Sequence, residues 1–172
     1  MSVAKTVAAL RSPAMNPILA LASCALLAAC ASQPKEPDQA MPASQLDLGA
    51  FSVSLVVKDL AASREFYGKL GFEPAGGDPA QNWQVLRNGD CVIGLFQGFI
   101  PKNTLTFNPG WTQQKLPRTQ FTDVRELQAK LEAAGMSFDV KADPATDGTA
   151  YFMLTDPDGN PILFDQHVPK PK

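Results

Sequence analysis

A chain of 172 residues with 45% apolar and 19% charged side chains has room for one folded domain with a leader and a short tail, and its apolar content excludes general disorder. Its 15 basic and 17 acidic residues include no Lys/Arg run, which argues against nucleic acid as a partner. Three cysteines and a single histidine, His167, leave little material for disulfides or imidazole chemistry.

Residues 1–16 carry Lys5 and Arg11 and no acid, and residues 17–29 (PILALASCALLAA) are all apolar or small. A positive start followed by a short apolar run reads as a signal peptide over 1–29, because 13 residues are too few to span a bilayer as a helix. The run ends in Leu27-Ala28-Ala29-Cys30, which resembles the bacterial lipobox. That resemblance implies cleavage before Cys30 and lipid attachment to its sulfur, with enough acyl chains for a stable anchor. No Asp follows the cysteine directly, so the resemblance implies the outer membrane, facing the periplasm, as the site of the anchor. Loss of 1–29 removes two basic residues and no acid, leaving a formal charge of −4. It also leaves Cys91 as the one free thiol, so no intramolecular disulfide is expected. Residues 30–47 hold the lipidated cysteine and a Pro-, Gln- and Ser-rich flexible spacer; a domain over 48–168 and a tail over 169–172 follow.

Within the domain, 51–57 alternates as a strand. Asp59 offers a helix N-cap; Leu60, Arg64, Tyr67 and Leu70 follow at helical spacing, and Gly71 closes the helix. Strand resumes at Phe72, and 81–87 and 91–97 flank Asn88-Gly89, a pair suited to a tight hairpin. The plan then repeats. Asp123 and Glu126 form a capping box, Val124, Leu127, Leu131 and Ala134 an apolar stripe, and Gly135 the helix end. Residues 136–141 read as strand, and 151–155 and 161–166 flank the turn Asp156-Pro157-Asp158-Gly159-Asn160. Asp59 to Gly71 and Asp123 to Gly135 are both 12 residues, so each half reads as strand, helix, then about three strands. The first strand of the second half is either 120–122 or 104–108 with a long loop after it.

Two stretches carry a family resemblance. FSVSLVVKDLAASREFYGKLGF (51–72) resembles the opening of a vicinal oxygen chelate domain, the glyoxalase, bleomycin-resistance and extradiol-dioxygenase superfamily. DPDGNPILFD (156–165) resembles its final hairpin, and the likeness is weakest over 98–119. The resemblance implies an α+β fold of two βαβββ modules forming an open, cup-shaped mixed sheet with helices on the outside. Enzymes of this superfamily usually hold a divalent ion in the cup with His and Glu. The resemblance puts the first ligand seven residues before Asp59, where this chain has Ser52, and the last after the DPDGN turn, where it has Leu163. Residues 91–122 contain no Asp, Glu or His to supply a middle ligand. Asp165 and His167, two and four residues past Leu163 on the same strand face, are the remaining weak metal candidates. No cofactor is therefore expected.

A cup without metal is still a concave ligand site. On the first strand the uniformly apolar odd positions are expected to pack on the helices, which places Ser52 and Ser54 in the cup. Trp83, Gln97, Asn108, Trp111 and Asp165 complete the candidate lining, with the tryptophans able to stack on a planar organic molecule. Cys91 and the serines have no local base, and a lone cysteine is more often a small buried apolar group than a nucleophile. The leading expectation is a membrane-tethered, metal-free domain binding a small organic molecule in the cell envelope. The alternatives are a metal-dependent lyase, isomerase or dioxygenase of the glyoxalase type, and a protein-interaction module; a homodimer is compatible with each.

Overall fold

Alternating small and branched side chains over Ala50–Val56 form the first strand, β1, at the centre of a seven-stranded sheet. The computed structural model describes residues 46–172; the leader, Cys30 and nearly all of the spacer lie outside the described residues. After β1 come α1 (Leu60–Lys69), β2 (Glu73–Asp78), a single 3-10 turn (Pro79–Gln81), β3 (Trp83–Asn88) and β4 (Cys91–Phe96). The second half supplies β5 (Thr104–Asn108), α2 (Val124–Ala133), β6 (Ala150–Thr155) and β7 (Pro161–Gln166). Strand order is β2-β3-β4-β1-β5-β7-β6. In each half the last strand runs parallel to the first, β4 to β1 and β7 to β5. The halves join through the antiparallel β1–β5 pair, so the sheet stays open and mixed, as an α+β fold of two modules requires.

The helices share one construction. Asp59 accepts the Ala62 N–H and Asp123 the Arg125 N–H as N-caps. One further first-turn N–H in each helix is met by a glutamine at or just past the end of that module's last strand. Leu60 N–H donates to Gln97 Oε1 and Val124 N–H to Gln166 Oε1, both at 2.7 Å. Each helix ends on a left-handed glycine, Gly71 (φ 84°) or Gly135 (φ 83°), with the following N–H reaching back to Tyr67 O or Leu131 O. The expected capping box does not close, because Glu126 pairs with Lys130 one turn on.

Both helices pack on one sheet face. Leu60 and Tyr67 of α1 lie against Leu55, Leu86 and Leu95, and Val124 and Leu127 of α2 against Phe152, Leu154 and Phe164. Leu131 extends the α2 contact, whereas Ala134 is exposed. Leu46 also packs on the second cluster and Asp47 pairs with Arg118 at 2.7 Å, so both residues before Leu48 are tied to the domain.

One open alternative is decided and two expectations change. The second module opens with β5, not with 120–122, and a long loop joins β5 to α2. The hairpin turns at Gly89-Asp90 and not at Asn88-Gly89. Asn88 instead pairs with Cys91, and its side chain donates to Leu70 O at 3.1 Å. Residues 136–141 form no strand: only Val140 bridges to Met153. The chain there is drawn toward α2, where the Gln128 amide brackets the backbone of Ala142 and Arg125 donates to Asp143 O and Gly148 O.

Candidate functional site

The face opposite the helices curls around a cavity of about 510 Å³. Strand parity decides what it sees. Ser52 and Ser54 of β1, Trp83, Val85 and Arg87 of β3, and Val92, Gly94 and Phe96 of β4 all point there. The second module adds Thr106 and Asn108 of β5, then Leu163, Asp165 and His167 from the end of the chain. Gly94 leaves room for a neighbour, since a Cβ there would come 2.5 Å from the Phe96 ring.

An aromatic wall stands at one end. Trp83 and Phe96 are cross-strand partners with rings 6.1 Å apart and 3° from parallel, and Phe99 meets Phe96 edge-on at 5.4 Å. The floor between the modules is polar and self-satisfied, with Ser54 Oγ 3.1 Å from Thr106 Oγ1. Asn108 Nδ2 donates to Asp165 O and so ties β5 to β7 beyond their ladder.

The loop after β5 closes one side. Gly110 (φ 84°) turns the chain, Trp111 bridges to Pro117, and Lys115 sits in the left-handed region (φ 64°) with its N–H on Thr112 O. Gln113 then clamps the loop across the cup. Its Oε1 accepts the Phe51 N–H at 2.8 Å, while its Nε2 donates to Phe51 O at 2.6 Å and to Asp90 O at 2.8 Å. Arg87 adds a bond to Gln113 O at 2.5 Å. The Trp111 ring is already engaged, stacked on His167 at 4.6 Å with Lys115 Nζ 5.3 Å from its centroid. His167 Nε2 in turn lies 3.1 Å from Asp165 Oδ2.

Of the candidates read from the sequence, Ser52, Ser54, Trp83, Asn108, Trp111, Asp165 and His167 border this cavity. Gln97 does not. It has the parity of Leu95 and faces the helices, where it caps α1. Cys91, expected as a buried apolar group, is exposed at the start of β4 and outside the cup. Sequence reading missed Arg87, Phe96, Phe99 and Lys115. Arg87 follows from alternation along β3 from Trp83 and Phe96 from its pairing with Trp83 across the hairpin, whereas Lys115 lies in the stretch least like the superfamily and carries no such signal.

Two half-modules sharing one curled mixed sheet around an open cavity define the class: an open-cup α+β scaffold. The sequence model of the Glyoxalase/Bleomycin resistance protein/Dioxygenase superfamily matches residues 49–164, and the chain belongs to that superfamily. The fold is shared at a TM-score of 0.50 and 20% identity with NAD-dependent benzaldehyde dehydrogenase from Legionella pneumophila, covering 68% of this chain and 98% of that one. A superfamily member from Vibrio splendidus 12B01 is 17% identical (TM-score 0.47, covering 67% and 97%). The Mn(II)-bound glyoxalase from Novosphingobium aromaticivorans is 23% identical (TM-score 0.48), with 73% of this chain matching 41% of that one. Among curated proteins no match is found.

The donor set does not fit the superfamily's metal. Ser52, Thr106 and Leu163 lie in one register row across β1, β5 and β7. That row contains both positions where the resemblance implies ligands, and it offers two hydroxyls and a hydrocarbon where a divalent ion needs imidazole or carboxylate. Asp165 and His167 are further along β7 and already paired with each other. Among the described residues no cluster of three His, Cys, Asp or Glu side chains exists.

Proposed function

We propose that this chain is a lipid-anchored envelope protein whose cup holds a small organic molecule without a metal. One observation carries the reading: a cavity of about 510 Å³ combines an aromatic wall, a hydroxyl-lined floor and a clamped loop with a ligand row of Ser52, Thr106 and Leu163. The size and mixed lining suit a compact organic ligand. The anchor rests on the leader and Cys30.

Native mass spectrometry of the mature chain tests the cup. The protein is exposed in turn to zinc, iron, manganese and nickel, and no stoichiometric ion is expected to remain bound. Retention of one ion per chain, lost in the Asp165→Ala, His167→Ala double variant, would sink this reading and favour a glyoxalase-type enzyme with an atypical site.

A further inference from the structure

We infer that the cup takes an organic anion, a carboxylate on a flat apolar body, and this rests on the binding reading above. The chain as a whole is acidic, yet its cup is not. Arg87 and Lys115 both border the cavity, and among the described residues neither has a carboxylate within ion-pair distance. The one carboxylate that borders it, Asp165, sits against His167. Glu73 is the cross-strand neighbour of Arg87, but it does not border the cavity and makes no ion pair with it.

The two cations share one wall. Lys115 Nζ lies 3.4 Å from where a Cβ on Gly76 would sit, and Gly76 is the partner of Val85. Arg87 is two residues along β3 on the same face, a separation of about 7 Å. Arg87 spends one nitrogen on Gln113 O and Gly89 O, which leaves the rest of its donor fork unbonded to protein. Lys115 holds a left-handed backbone that a non-glycine residue rarely adopts, so the loop keeps its side chain at this wall against local strain. Trp83 and Phe96 stand toward the other end of β3, about 13 Å from Arg87. A molecule with its ring on that aromatic pair would carry a carboxylate to Lys115 and Arg87. Arg87 is half-buried and Lys115 exposed over the Trp111 ring, and among the described residues neither has a carboxylate partner, so each gains from a charged acceptor.

Quenching of tryptophan fluorescence on the full mature chain tests this with three probes of one shape: naphthoate, naphthylmethanol and naphthylmethylammonium. Naphthoate is expected to bind about tenfold tighter than the neutral probe, as one charge-assisted contact would give. That advantage should shrink with added salt and be lost in Lys115→Gln and in Arg87→Gln. Circular dichroism shows whether each variant folds; if one does not, the salt dependence and the probe ratio in the parent protein still decide. Equal affinity for naphthoate and naphthylmethanol, or a preference for the ammonium, overturns the anion and leaves a binding cup. Failure of all three to bind overturns both the anion and the cup.

Discussion

Asp123 shows how one buried side chain holds a module together. It is 2% exposed, and its carboxylate receives the Arg125 N–H, the Arg125 guanidinium and Gln166 Nε2. Burial pushes its pKa up, but the bonds from Gln166 and Arg125 and the arginine's charge outweigh that, so the group stays below the ordinary aspartate range. Asp47, hydrogen-bonded to Arg118, is lowered as well. The unfolded chain therefore takes up protons that the native chain refuses. Stability contributed by these groups is complete above about pH 4 and is lost as the pH falls below it. Urea midpoints measured from neutral to acid pH should drop in that window, and Asp123→Asn should flatten the drop. Arg125→Met should cost about 3–5 kcal/mol at neutral pH, since it strands a buried carboxylate.

At the level of elements, what was legible was whatever depends on near neighbours. The caps at Asp59 and Asp123, the glycine ends at Gly71 and Gly135 and the alternation of β1 needed only residues a few positions away. Besides the capping box at Glu126 and the one-residue shift of the hairpin turn, what failed depends on side chains arriving from elsewhere. The stretch 136–141 alternates like a strand, but α2 takes its continuation through Gln128 and Arg125. Gln97 is a cup candidate as a polar amide, but like its twin Gln166 it caps a helix instead. The twins differ in burial, Gln166 being fully buried and Gln97 only partly. Gln166→Ala should therefore cost about 2 kcal/mol and Gln97→Ala about 1 kcal/mol in equilibrium denaturation. Equal costs would show that burial does not set the difference.

For the whole molecule, the two-module plan and part of the cup were legible in the sequence. Ser52, Ser54 and Asp165 could be placed by parity and by the closing motif, and Trp83, Asn108 and Trp111 by residue type. The Lys115 half of the cationic wall could not, because Lys115 is brought to β2 and β3 by a loop whose anchors, Phe51 and Asp90, are more than 20 residues away. The proposed lipid anchor rests on the leader sequence and not on the fold. Expressed whole in a bacterium, the chain is expected in the membrane fraction and to incorporate labelled palmitate. Cys30→Ser should abolish both while leaving the domain folded. A Cys30→Ser protein that still fractionates with membranes would point to attachment by another part of the chain.

The clamp on β1 has a kinetic meaning. Most amide protons in a sheet are shielded by a neighbouring strand and exchange only when strands separate. The Phe51 proton is shielded by the side chain of Gln113, so it meets water whenever the loop lifts and β1 stays in place. Its exchange rate is expected to report the opening of this loop, each opening singly where intrinsic exchange outruns reclosing and otherwise the open population.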